Sequence, residues 1–122
     1  MTRKELISNY KNTKFRMGVF QVRNTSNNKI FVSSSTHLEA MFNRYKAQLN
    51  FGGHKNLELQ SDWNNLGEQN FVFEILSEIQ HDEENQKDAT KEVKLLEQMF
   101  IDELQPFEDK GYNKKILSKH KK

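Results

Sequence analysis

Two apolar runs, a polar quartet between them and a switch to helical spacing shape the stretch from Met17 to Leu49. Gly18 to Arg23 mixes apolar and β-branched residues, and Ile30-Phe31-Val32 does the same. Between them Thr25-Ser26-Asn27-Asn28 has side chains that favour tight turns. The pattern predicts one strand from about Met17 to Asn24 and a second from about Lys29 to Ser33. After Ser33 the period changes: Leu38, Phe42, Tyr45 and Leu49 are four, three and four apart. Ser35 or Thr36 is the expected helix cap and Gly52-Gly53 the expected stop. Phe20, Phe31 and Met41 would converge from these three elements, and a site is expected among them.

A second helix is predicted from about Lys55 to Leu66, with Leu59, Trp63 and Leu66 on one face and Gly67 at its end. Phe71 to Leu76 reads as a third strand, apolar on both faces as in a strand buried within its sheet. His81 to Thr90 is polar and acidic, and an exposed loop is expected there. Val93, Leu96, Phe100 and Leu104 then form a helical stripe closed by Pro106. Residues 1–14 place Leu6, Ile7 and Tyr10 at helical spacing behind Thr2, which predicts a short leading helix. The expected fold class is α+β: a three-stranded, largely antiparallel sheet flanked by helices, in the order α-β-β-α-α-β-α. One domain is expected over residues 1–122, with a basic flexible tail at 114–122.

Composition narrows the function classes. A chain of 122 residues is a single-domain length that buries about two-thirds of its unfolded surface. With no cysteine there is no disulfide and no thiolate metal site, so a reducing, cytoplasmic setting is expected. No apolar run spans a bilayer and none reads as a signal peptide, so no membrane partner is expected. The net charge of +2 conceals a segregation. Residues 1–56 hold ten Lys or Arg against two acids, residues 57–113 four against fifteen, and residues 114–122 five lysines and no acid. Three readings stay open: the basic parts follow a phosphate backbone, the oppositely charged halves attract each other in the fold, or these are merely solvated faces.

The ordered motifs resemble the GIY-YIG nuclease superfamily, and within it the catalytic domains of phage-type homing endonucleases. Gly18-Val19-Phe20 and Phe31-Val32-Ser33 stand where the two namesake tripeptides lie, on the first two strands. Gly53-His54, Leu59-Gln60, Gly67 and Phe71 resemble the second helix and the entry to the third strand. Leu96-Glu97 with Phe100-Ile101 resembles the helix that carries a metal-binding glutamate, and Gly111-Tyr112-Asn113 the terminal asparagine motif. The match runs from Met17 to Asn113.

The resemblance implies phosphodiester cleavage with one divalent metal, Mg or Mn, held by Glu97 and weak or absent without nucleic acid. It implies a tyrosine hydroxyl and a histidine preparing water, and an arginine on the first helix facing phosphate. Here Phe20 and Phe31 stand at the places of two tyrosines, Met41 at that of the arginine, Ser33 at that of a small glycine and Tyr45 at that of a histidine. Phenylalanine moves no proton and methionine is no cation. His54, Glu97 and Asn113 match the pattern, and Arg44 lies one turn beyond Met41 on a stripe with His37 and Gln48.

The candidate site is therefore Tyr45, His54, Glu97, Asn113 and Arg44, with Arg23, Arg44, Lys46 and Lys55 as nucleic-acid contacts. Each has an ordinary alternative: a solvated Arg44 or Glu97, a packed Tyr45, a loop His54, a turn-holding Asn113. The leading expectation is a nuclease-fold protein that binds DNA or RNA with catalysis lost or weakened. The others are an endonuclease with a rearranged site and a protein-interaction module.

Overall fold

The computed structural model describes residues 16–79 and 86–114, except for the side chains of residues 86–88. Among these residues lie three strands and three helices. They are β1 (Met17–Asn24), β2 (Ile30–Ser35), α1 (Leu38–Phe51), α2 (Leu57–Leu66), β3 (Phe71–Ile79) and α3 (Gln86–Leu104). The sheet is antiparallel in the order β2-β1-β3. The expected α+β class is what the described residues show, in the order β-β-α-α-β-α. The predicted leading helix and all of the tail beyond Lys114 lie outside them.

Strand β1 is the centre of the molecule. Val19, Phe20 and Val22 are fully buried, each burial worth about 1.5–3 kcal/mol. At Gly18 the backbone of β3 comes so close that a Cβ would stand 1.9 Å from the Ser77 carbonyl oxygen. Its φ of +156° is also strained for any L side chain, so the first glycine of the motif is a packing requirement. Beyond β1, Asn24 Oδ1 accepts from Ser26 N at 2.9 Å and the Asn24 N–H donates to the Lys29 carbonyl at 2.9 Å, closing the expected turn.

Alternation along the strands sorts side chains to two faces. On one, Phe20, Val22, Phe31 and Phe71 form the main core with Leu38, Tyr45 and Leu49 of α1 and Leu59 and Trp63 of α2. On the other, Met17 packs with Ala89 and Val93 of α3, and Ile79 closes against them.

Four expectations are corrected. Strand β3 runs on to Ile79 and lies at the sheet edge, mostly half-buried, because β1 takes the centre. The residues expected as loop from Gln86 to Thr90 are the first turns of α3, since Ala89, four before Val93, extends the apolar stripe onto Met17. Neither Ser35 nor Thr36 caps α1: Ser35 ends β2 and its Oγ accepts from His37 N at 2.9 Å. Helix α2 starts at Leu57, capped by Asn56, whose side chain accepts from Leu59 N at 2.9 Å, and Leu66 stays exposed.

The charge question is answered in part. Arg16 pairs with Glu78, Arg23 with Glu74 and Lys29 with Glu58, each joining the basic to the acidic half. Arg44, Lys46 and Lys55 make no ion pair among the described residues and are exposed.

Candidate functional site

The place of the first tyrosine is sealed. Phe20 is fully buried, with ring centroids 5.0 Å from Phe42, 5.6 Å from Tyr45 and 6.5 Å from Phe73. Such pairs each add about 0.5–1.5 kcal/mol beyond area burial. Met41 packs half-buried against the same cluster. Where the motif would set a hydroxyl and a guanidinium, these two positions supply a phenyl ring and an uncharged thioether.

Beside this cluster stands a second group of rings. Tyr45 and His54 meet edge to face at 4.6 Å, and Phe31 lies 5.6 Å from His54 and 6.1 Å from Tyr45. His54 Nδ1 accepts from the Asn56 N–H at 3.0 Å, so in the neutral ring Nε2 carries the proton. That Nε2 is buried and has no hydrogen-bond partner among the described residues. Its neighbour Phe31 has nothing to offer it. Burial, then the Lys55 charge, push the imidazole pKa below its ordinary value. His54 N donates to Gln60 Oε1 at 3.0 Å, and Gln60 Nε2 donates to the Leu49 carbonyl at 2.7 Å, which fixes the loop between α1 and α2.

Strand β2 carries adjacent serines pointing to opposite faces. Ser33 Oγ and the Tyr45 hydroxyl share a hydrogen bond of 3.0 Å, while Ser34 donates to Glu97 Oε1 from α3. Lys94 Nζ also meets Glu97 Oε1, at 3.4 Å. The Tyr45 hydroxyl is pushed above its ordinary pKa, chiefly by burial. Ser33 opposes the shift, Glu97 adds to it, and the Arg44 charge lowers it. Arg44 and Tyr45 of α1 and Glu97 of α3 therefore stand in one electrostatic neighbourhood.

Asn113 is held at the outer edge of β2. Its carboxamide accepts from Val32 N at 2.8 Å and donates to the Val32 carbonyl at 2.9 Å, as a neighbouring strand residue would. Gly111 makes this approach possible, because a Cβ there would lie 2.4 Å from the carbonyl oxygens of Ile30 and Pro106. Between them Tyr112 is buried, its hydroxyl donating to Asp62 Oδ2 at 2.6 Å and accepting from Asn24 Nδ2 at 2.9 Å. Burial, then the bond to Asp62, raise its pKa strongly.

The structure thus gathers Tyr45, His54, Phe20, Phe31 and Met41 on one face of the sheet. Glu97 sits on the other and Asn113 at the edge. Arg23 is drawn away: on β1 its guanidinium meets both oxygens of Glu74, at 2.9 and 3.0 Å. Ser34, Asp62 and Asn24 did not stand out in the sequence, and no spacing links Ser34 to Glu97, 63 residues on. Asn56, three before Leu59, is a readable cap signal.

No family model matches the chain. Two solved structures are similar, both of the catalytic domain of the intron endonuclease I-TevI. A glutamate-to-alanine mutant of it superposes with a TM-score of 0.66 and 31% identity, over 81% of this chain and 93% of that domain. The chain belongs to the GIY-YIG nuclease family. The other I-TevI structure agrees, with a TM-score of 0.65 and 31% identity over 80% of this chain and 96% of that domain. Intron-associated endonuclease 1 of Enterobacteria phage T4 is 35% identical over 71 residues, 57% of this chain. The matched part is 28% of that protein's length, so the likeness is to a GIY-YIG catalytic domain and not to a whole homing endonuclease.

Proposed function

We propose that the chain is a GIY-YIG domain that binds DNA and cleaves it far more slowly than a family member with both tyrosines and the arginine. The observation that carries this is the sealed position of Phe20, fully buried among Phe42, Tyr45 and Phe73, with Met41 packed against the same cluster. Removing one preorganised stabiliser of transition-state charge costs about 10²–10³ in rate, and removing a general base about 10²–10⁴. These losses belong to one site and do not multiply. Tyr45 does not make good the second loss, since burial favours its protonated form at neutral pH. His54 does not either, because its Nδ1 is occupied by the Asn56 N–H and its buried Nε2 is a donor closed off from water.

Among the described residues no three His, Asp or Glu cluster as a metal cage. Glu97 fits the family's single-carboxylate arrangement, with Ser34 and Lys94 both on Oε1. A divalent ion there would act as a Lewis acid on a phosphoryl oxygen. DNA contact is supported by the exposed cations Arg44, Lys46 and Lys55 on α1 and the loop after it, which make no ion pair among the described residues; Lys46 Nζ rests over the Phe73 ring at 5.5 Å. Arg23, tied to Glu74, is left out of that surface.

The test is a salt-dependent titration on a labelled duplex beside a plasmid-nicking assay with Mg²⁺ or Mn²⁺. Binding with a linear log–log salt dependence and only slow nicking is expected. Absence of binding would favour a protein-interaction role, and rapid Glu97-dependent nicking a rearranged nuclease.

A further inference from the structure

Among the described residues Phe51 is the most exposed of the large apolar side chains, at 90% of its full surface. Core packing does not account for it, and helix geometry gives it company. Residues 44, 48 and 51 are four and three apart on α1, so Arg44, Gln48 and Phe51 share one stripe. Its start lies in the site's electrostatic neighbourhood, where the Arg44 charge is felt at the Tyr45 hydroxyl. Its far end runs into the Gly52-Gly53-His54-Lys55 loop, where Lys55 is exposed. In the basic half the residues that pair with acids, Arg16, Arg23 and Lys29, lie on or beside the β-hairpin. Arg44 and Lys55, which make no ion pair among the described residues, precede and follow Phe51 along the chain, while Lys46 lies on another side of α1 with its Nζ 5.5 Å from the Phe73 ring centroid.

We infer that Phe51 is a stacking wedge for a base of duplex DNA, at the end of a phosphate-facing stripe that begins with Arg44. This rests on the DNA-binding reading above and adds its mode. A bare aromatic ring between uncompensated cations suits nucleic acid, whose phosphates take the charges and whose bases take the π-face. From Arg44 to Phe51 the helix rises roughly 10 Å, about three base steps of a strand. A phosphate held at Arg44 therefore leaves a base step within reach of Phe51. The ring inserts at that step and partly unstacks it, so binding is tightest where the step is easily opened. Phe51 contacts DNA only. It has no part in the chemical step.

Fluorescence anisotropy on a labelled duplex, with a 2-aminopurine reporter walked along one strand, tests this. Phe51→Ala is expected to weaken binding about 5- to 150-fold with the salt slope unchanged, because no charge is lost. Phe51→Trp should retain it. Arg44→Ala should reduce the salt slope by about one, and Leu95→Ala, which removes another exposed apolar side chain from α3, should bind as wild type. Wild type should brighten 2-aminopurine at one step, and Phe51→Ala should not. Duplex binding that Phe51→Ala leaves intact overturns the wedge alone, as does an effect confined to single strands. A wild type that binds no duplex overturns the DNA-binding reading as well.

Discussion

The Phe31 ring stands edge-on to His54 at 5.6 Å, and the buried Nε2–H of that histidine has no partner among the described residues. A buried donor left unsatisfied costs about 1–3 kcal/mol. The ring beside it carries no hydroxyl, and the resemblance sets a tyrosine at that position. The absence of a hydroxyl at Phe31 thus coincides with an unmet hydrogen bond, while Phe20 shows an apolar cluster closed around another tyrosine's place. A histidine that matches the family pattern beside a phenylalanine that departs from it is what the proposed slow site would contain.

That histidine makes stability depend on pH. Its folded pKa lies below the unfolded value of about 6.5, so the folded chain refuses a proton that the unfolded chain accepts. Its contribution is constant above about pH 7 and should fall as the pH drops through 6.5 towards the folded pKa. Urea midpoints for wild type should decline across that window, and His54→Gln should remove this component whatever it does to absolute stability. A His54→Gln profile parallel to wild type would contradict the assigned burial.

Asn113 is expected to act on the fold before it acts on any substrate. Asn113→Ala strips two partners from Val32, itself 1% exposed, and should cost about 1–3 kcal/mol. Asn113→Asp keeps an acceptor for Val32 N and loses the donor to its carbonyl. Denaturant unfolding of both variants checks this, and a wild-type midpoint for Asn113→Ala would refute the strand-edge role.

Tyr112→Phe removes the hydroxyl that links Asn24 on β1 to Asp62 on α2. Two buried or half-buried polar groups then lose their partner, and a loss of about 1–3 kcal/mol is expected in thermal or urea melts. Gly111→Ala should be harsher, since backbone oxygens meet the new methyl. A neutral outcome for both would show that this corner yields more readily than its contacts suggest.

Metal binding should be conditional. Glu97 offers one carboxylate with Ser34 already on it, and Mg²⁺ gives up its waters reluctantly. Calorimetry on the protein alone should show no tight Mg²⁺ site, while DNA should bring out Mg²⁺-dependent binding that Glu97→Ala weakens. Tight binding without DNA, lost in Glu97→Ala, would contradict this.

Much of this architecture is legible in the sequence where a periodic signal meets a strong stop. Strand β1 ends at Met17 and Asn24 as its alternation indicates, and α1 ends before Gly52 as the paired glycines indicate. The start of α3 was hidden because its first turns are polar and acidic and only Ala89 marks the buried side. The edge position of β3 was hidden because Phe71 to Leu76 reads alike for a central strand and for an edge strand flanked by aromatics. Within the site, residue identity at Phe20, Phe31 and Met41 was readable. The pairing of Ser34 with Glu97, and of Arg23 with Glu74, depends on contacts that no local pattern records.

The proposal that cleavage is slow, and that those three apolar residues make it so, is decided by plasmid cleavage with Mn²⁺ by three proteins. They are wild type, the combined Phe20→Tyr, Phe31→Tyr and Met41→Arg variant, and that variant with Glu97→Ala, each checked for its fold by circular dichroism. Phe20→Tyr sets a hydroxyl in a fully buried place, so some loss of stability is expected alongside any gain in rate. The combined variant should cleave faster than wild type by about 10²–10³, the scale of one restored transition-state contact, and Glu97→Ala should abolish the gain. Robust wild-type cleavage that disappears with Glu97→Ala, or a well-folded combined variant no faster than wild type, would contradict the claim.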